Sequence, residues 1–426
     1  MNKKLTVALA GLGARGADSY APAALKFPDL MEIVAISDID PEKVASVAKT
    51  YNIPQEACYD SAESMLEAGK LADVMFIATQ DKQHVGHAIP ALKLGYHLLL
   101  EKPISPDLDE CRELLKVATE EDRLVVVCHV LRYTPFFTKV KELLDSGIIG
   151  EITTVAGFEY VQYWHQAHSF VRGNWRNSIE TSPMILQKCC HDMDLYLWLT
   201  GKTVKSVSSF GNTFLFKEEN APAGCTKRCL DGCAVKDSCL FDAEAIYMDS
   251  SFGIRNGHTK WPVNVVSLNP TENSVYEALK AGPYGRCVYH CDNDVVDHQI
   301  VNLEMTDGSL ISFTMSAFTA KQARESKIMG TKGEIIGLME ENIIKIRPFG
   351  KEEIIIDVNL LATDFSGHGG GDHQMVKEFL QVVAGEIDMP PHMTSLDVSV
   401  ESHYIALAAE VSRLAGGKVV KVSDMR

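Results

Sequence analysis

No apolar run in this sequence approaches the roughly 18 residues that a membrane-spanning helix requires, so no such span is expected. Internal repeats and low-complexity linkers are also missing, which argues against solenoids and flexible spacers. Basic residues are in the minority, 41 Lys and Arg against 57 Asp and Glu. The resulting net charge of −16 repels nucleic acid and anionic lipid, although it permits one phosphate in a local pocket. Eleven cysteines are too few for a disulfide scaffold in 426 residues, and the count is odd. Lys3 and Lys4 ahead of apolar residues 5–10 imitate a secretory signal. The run is short, however, and leads into glycines where a cleavage site would stand, so a first β-strand and a cytoplasmic protein are expected. What is present is ordinary: 46% hydrophobic and 23% charged residues, in a length that suits two domains.

The first 130 residues alternate short apolar runs (5–10, 32–37, 73–79, 97–100, 124–128) with helical patterns (41–51, 61–68, 83–93, 107–121). That alternation predicts an α/β domain with a doubly wound parallel sheet covered on both faces. From about residue 150 the runs lengthen and alternate, at 152–160, 204–214, 295–304, 309–316, 327–330, 334–338, 343–348 and 352–358. Helical patterns at 182–199, 372–383 and 395–414 accompany them. Residues 131–426 are therefore expected to form an α+β domain with a large, mostly antiparallel sheet. Residues 217–295 lack periodicity, are rich in Gly, Pro and Cys, and read as an insertion.

The first strand runs into Gly11-Leu12-Gly13-Ala14-Arg15-Gly16 and then into helical sequence. In this GxGxxG, Gly11 allows the tight turn, Gly13 a close backbone approach to a pyrophosphate, and Gly16 the packing of helix on strand. Asp38 ends the second strand, 22 residues past Gly16. A carboxylate there suits a ribose diol and repels a 2′-phosphate, which favours NAD over NADP; Arg15 argues the other way, because a guanidinium could meet a phosphate. The bland alternative is a glycine-rich turn beside a solvated Asp. Thr79, Gln80 and His84 follow the next strand, and Glu101-Lys102-Pro103 the one after it. Strand C-terminal ends are where a doubly wound sheet places ligands, so these residues join the candidate cofactor set.

Together with His191-Asp192-Met193-Asp194, these motifs resemble the Gfo/Idh/MocA superfamily of nicotinamide-dependent oxidoreductases, over the whole chain except the insertion. The resemblance implies an N-terminal Rossmann domain and a C-terminal domain whose open sheet often mediates oligomers, here a homodimer or homotetramer. It also implies a sugar or polyol substrate and places Lys102 between nicotinamide and substrate. Partial burial and a nearby nicotinamide cation would lower a lysine from its ordinary pKa of about 10.4 into acid/base range. His191 inherits the role of proton relay or hydroxyl ligand. The carboxylate common in the family four residues before this histidine is absent; Gln187 stands there, followed by Lys188. At helical spacing Lys188, His191 and Asp194 share one face, where Lys188 would add a like charge beside Lys102. Asp194 is expected to bond locally within the helix, and Cys189 and Cys190 to be packing residues.

Arg132, Tyr160, Trp175 and Arg176 complete the candidate substrate residues with Gln187, Lys188 and His191, since aromatic faces mixed with cations and amides suit a polyhydroxylated ligand. Asp372 is an N-cap by type, with His373 a candidate to reach the pocket. In the insertion, Cys225, Cys229, Cys233 and Cys239 put four thiols in fifteen residues. They suggest a structural zinc, with an iron–sulfur cluster or four reduced thiols as alternatives. The leading expectation is an NAD(H)-dependent dehydrogenase for a sugar or cyclic polyol. Two rivals stand beside it: an NAD-retaining glycosidase that oxidises its sugar transiently, and a non-enzymatic, sugar-responsive NAD-binding regulator.

Overall fold

The computed structural model describes residues 4–426, so Lys3 of the signal-like start lies outside the described residues. The first sheet contains β1 (Leu5–Ala10), β2 (Met31–Ser37), β3 (Cys58–Tyr59), β4 (Val74–Ile77), β5 (His97–Leu100) and β6 (Val125–Val127). All pairings are parallel, in the order β3-β2-β1-β4-β5-β6. Helices cover both faces, which is why β4 and β6 are buried at every position. The strand order reverses between β1 and β4, and the C-terminal ends beside that point carry the glycine turn, Asp38, Thr79 and Glu101-Lys102-Pro103.

The second sheet has nine strands: β7 (Ile152–Tyr160), β8 (Val204–Asn212), β9 (His298–Met305), β10 (Leu310–Ser316), β11 (Ala323–Gly330), β12 (Gly333–Leu338), β13 (Ile343–Pro348), β14 (Ile354–Asp357) and β15 (Val420–Lys421). Their order is β14-β13-β12-β11-β7-β10-β9-β8-β15. Only β7 and β10 pair in parallel. The closing helices tie the two sheets together. Helix Gly371–Val383 sets Phe379 edge-on to Phe76 of β4, with ring centroids 6.1 Å apart. Just before helix Leu396–Leu414, the Thr394 carbonyl accepts the Val127 N–H of β6 at 2.8 Å.

Two regions depart from the sequence pattern. The helix expected over 182–199 is broken into Met184–Gln187 and Cys190–Thr200, with a non-helical Cys189 between them. Residues 217–295 hold more order than their composition suggests. Helix Glu272–Ala281 is capped by Thr271, whose hydroxyl accepts the Ser274 N–H at 3.1 Å. It buries Val275 and Leu279 with Tyr247, Met248 and Val263 in a small separate core.

Candidate active site

The glycine turn is shaped by contacts inside the protein at two positions and by none at the third. Gly11 has φ +87°, and a Cβ there would lie 2.4 Å from the Ala78 carbonyl oxygen. A Cβ on Gly16 would lie 1.9 Å from the Gly11 oxygen. A Cβ on Gly13 would meet nothing within 4 Å, so no protein contact requires the glycine at that position. This is the fit expected if a pyrophosphate approaches the backbone at Gly13, with Ala14 opening the following wide helical turn, Ala14–Tyr20. Asp38 braces the turn: its carboxylate accepts the Leu12 N–H at 2.6 Å and the Asp40 N–H at 2.9 Å. Each oxygen retains acceptor capacity for a ribose hydroxyl.

Arg15 is committed elsewhere. Its guanidinium donates to Glu101 Oε1 at 2.5 Å, to Asp372 Oδ1 at 2.7 Å and to the Tyr20 hydroxyl at 2.6 Å. Burial opposes its charge, but Tyr20, Glu101 and Asp372 outweigh that and hold Arg15 well above its ordinary pKa. Burial likewise opposes the Asp372 carboxylate, which Arg15 and His368 hold well below the usual range. Asp372 is thus not the N-cap, a position that Gly370 occupies. The ring nitrogens of His84 lie 2.6 Å from the Pro103 carbonyl and 3.1 Å from the Thr79 carbonyl, tying the two strand-end segments together. Thr79 Oγ1 is 3.1 Å from His87, and the Gln80 N–H reaches the Gln83 side chain at 3.3 Å.

Lys102 extends from the end of β5 to the second domain, where its ammonium donates to the Gln187 carbonyl at 2.9 Å. That carbonyl ends a four-residue helix, and last-turn carbonyls are left for outside donors. His191 follows in the next helix. Its ring lies 5.6 Å from that of His129 and 6.2 Å from that of His368, and its Nδ1 is buried without a protein partner. Burial first, then the charges of Lys102, His129 and Arg324, hold His191 well below its ordinary pKa, so the ring is neutral. The Gln187 amide donates to the Trp175 carbonyl at 2.9 Å, and its Oε1 is likewise buried without a partner. Trp175 Nε1 in turn reaches Asp81 at 3.4 Å, and Ser182 donates to the same buried carboxylate at 2.8 Å.

The helix break separates Lys188 from His191 and Asp194, which share the helix Cys190–Thr200. Lys188 turns to Glu159 of β7, 3.1 Å away and fully buried. Arg324 of β11 pairs with Glu159 at 2.9 Å and with Asp192 at 3.0 Å. Burial, opposed by Arg324 and reinforced by Glu159, pushes Asp192 up to about 6. Asp194 does not bond within its own helix; it holds Arg132 in a bidentate pair at 2.7 Å, both side chains buried. Cys189 and Cys190 are buried packing residues.

Several expected substrate residues have their polar groups engaged by protein partners. Arg132 is sealed by Asp194. Strand alternation sets Tyr160 on the face of β7 opposite Glu159, where its hydroxyl donates to Glu325 at 2.7 Å. Arg176 forks onto Asp292 through two bonds of 2.8 Å at the surface of the insertion. His373 sits beside Lys26 and Phe27, while His368 takes the place beside His191. Nor are the four insertion thiols gathered. Backbone pairing of residues 227–229 with 285–287 sends Cys229 under Arg172, whose Nη2 is 3.5 Å from its sulfur. The same pairing brings Cys287 and His290 to Cys225. Sequence spacing alone could flag neither this pairing nor Glu159 and Arg324, because their partners come from distant segments.

Comparison with known proteins decides the family. Residues 5–129 match the model of the oxidoreductase family's NAD-binding Rossmann fold, and residues 141–393 that of the family's C-terminal alpha/beta domain. The chain belongs to the Gfo/Idh/MocA oxidoreductase family. It is 24% identical over 391 residues, 87% of each chain, to YteT of Bacillus subtilis (strain 168), a protein named as an oxidoreductase. Inositol 2-dehydrogenase of Corynebacterium glutamicum (strain R) is 28% identical over 208 residues, 49% of this chain and 57% of that protein. Glycosyl hydrolase family 109 protein 1 of Bacteroides fragilis (strain YCH46) is 29% identical over 179 residues, 40% of this chain and 37% of that protein. Among solved structures, an Agrobacterium radiobacter oxidoreductase in complex with NAD+, L-tartaric acid and magnesium superposes with a TM-score of 0.69. It is 15% identical and fully covered, as is this chain, so the likeness is one of fold. As a family member, the chain is an NAD(P)-dependent oxidoreductase with a Rossmann cofactor domain. Among the described residues, no helix is long and apolar enough to cross a membrane.

Proposed function

We propose that this enzyme transfers hydride between NAD(H) and a ring or chain carbon of a sugar or cyclic polyol, with Lys102 as acid/base and His191 assisting. The carrying observation is Lys102 itself, which spans from the cofactor edge of the first sheet to Gln187, four residues before His191. Bound NAD supplies the hydride acceptor. Gly11, Gly13, Ala14 and Gly16 would hold its pyrophosphate, and Asp38 its ribose. With Arg15 consumed by Glu101 and Asp372, its guanidinium no longer opposes Asp38 in favouring NAD over NADP. In the oxidative direction Lys102 takes the proton of the substrate hydroxyl as the adjacent C–H gives up hydride. Neutral His191 orients that hydroxyl through its unpartnered Nδ1. Gln187 and Trp175 bracket the same space and suit neighbouring hydroxyls and a C–H face. The polyol class also agrees with the name of the inositol 2-dehydrogenase relative. On the second sheet, exposed Ile300 and Leu310 on adjacent strands support a homo-oligomer that uses the open face as its contact.

A panel of sugars and cyclic polyols, followed by nicotinamide reduction, tests the reading; reduction by at least one member is expected, and none across a broad panel contradicts it. The partial similarity to the family 109 glycosyl hydrolase favours a second reading, transient oxidation followed by elimination of an aglycone. Glycoside cleavage with retained NAD and no net change in nicotinamide absorbance selects it over the first.

A further inference from the structure

We infer that Cys225, Cys287 and His290 form a zinc-class metal site that clasps the insertion, independent of the hydride-transfer chemistry. The Cys225 sulfur lies 3.5 Å from His290 Nε2, and the ligand atoms of all three residues fall within 4.8 Å of one another. They come from two segments 62 residues apart, held in register by backbone bonds of Cys229 to Gly285 at 3.0 Å and of Cys287 to Lys227 at 2.9 Å. The ring of His290 is aimed. Its Nδ1 lies 3.4 Å from Glu218 Oε1, which leaves Nε2 toward the two sulfurs. A carboxylate behind a ligating imidazole fixes the tautomer that offers its other nitrogen to a metal. Two soft sulfurs and one imidazole suit zinc above magnesium or calcium.

Cys229 is excluded from the set because its sulfur faces the buried guanidinium of Arg172. Solvent completes the tetrahedron. Binding displaces the thiol protons of Cys225 and Cys287, and the ion then links two loops that otherwise meet through a few backbone bonds. The insertion it secures packs on the segment that follows β7: Phe252 stacks on Trp164 with centroids 4.2 Å apart, next to His165.

The test is metal analysis of the full chain purified without added metal, followed by cobalt(II) titration of the metal-free protein. The expected result is about one zinc per chain and a thiolate-to-cobalt charge-transfer band on titration. Cys225→Ser and His290→Ala should lose both signals, whereas Cys233→Ser keeps them. NAD titration of each variant verifies that the chain has folded. Glu218→Gln, a change at an exposed side chain, should fold normally and weaken zinc binding about 10- to 100-fold. The proposal is overturned by less than about a tenth of an equivalent of metal with no cobalt band. Retention of the ion by folded His290→Ala, or a Cys225–Cys287 disulfide in the purified chain, overturns it equally.

Discussion

At the cofactor end, the glycine turn, Asp38, Thr79 and Glu101-Lys102-Pro103 each sit at the C-terminal end of a strand in the first sheet, and most of their geometry is made by backbone. At the proposed substrate end, Glu159, Lys188, Asp192 and Arg324 arrive from β7, the helix break, the next helix and β11, and side-chain charges hold them together. The first kind of site tolerates change around it as long as its turns can form. The second depends on each charge finding its partner, because a buried ion left alone is costly.

Four substitutions or conditions separate the two ends. Lys102→Ala, at their meeting point, should lower kcat by two to four orders of magnitude, about the reach of a general acid–base group, and leave NAD affinity within about threefold. Steady-state turnover and equilibrium titration with NAD read the two effects separately. Glu159→Gln leaves Lys188 without its partner and Arg324 with Asp192 alone. A loss of about 3–5 kcal/mol in urea unfolding is expected, with NAD binding to the surviving fold unchanged.

Acid should act on the second end too. Burial lowers His129 to about 4 and His168 and His403 to about 3. Below pH 6.5 the unfolded chain binds protons that the folded histidines refuse, so their stability is complete above 6.5 and falls as pH falls. Each histidine loses about 1.4 kcal/mol per pH unit. Asp192, raised to about 6, has the opposite sign below that pH, because the folded carboxyl takes its proton first, and offsets one of the three. Unfolding free energy should thus drop as pH falls from 6 to 4, with His191 adding to the three; a flat profile contradicts the burial of these rings. The smallest effect belongs to the backbone-built end. Asp38→Asn should weaken NAD binding by about tenfold, or about 1.4 kcal/mol, and NADP binding by less, which paired titrations would resolve.

Sequence alone was most informative where chemistry and chain order coincide. Five of the six Rossmann strands, the GxGxxG and the acid after β2 are local patterns with short-range causes, and the structure has them where the pattern predicts; the two-residue β3 is too short to leave one. Lys102 was legible from its strand-end motif. Glu159 was not, since an alternating strand shows which residues share a face but not that the next helix will break and deliver Lys188 to it. The break also parted Lys188 from His191 and Asp194, which an unbroken helix would have aligned. The cysteines misled for a related reason: density along the chain suggested four ligands, but cross-strand pairing of 227–229 with 285–287 selects others. Arg15 was ambiguous until its carboxylate partners, one of them 357 residues away, were in view.

The central claim is that Lys102 and His191 act on one substrate hydroxyl beside the nicotinamide. A crystal structure of the chain with NAD and a turned-over sugar or polyol tests it most directly. The account predicts one hydroxyl within hydrogen-bond reach, about 2.6–3.2 Å, of both Lys102 Nζ and the His191 ring, with the C–H of that carbon facing nicotinamide C4. A reacting carbon whose hydroxyl touches neither residue would contradict it.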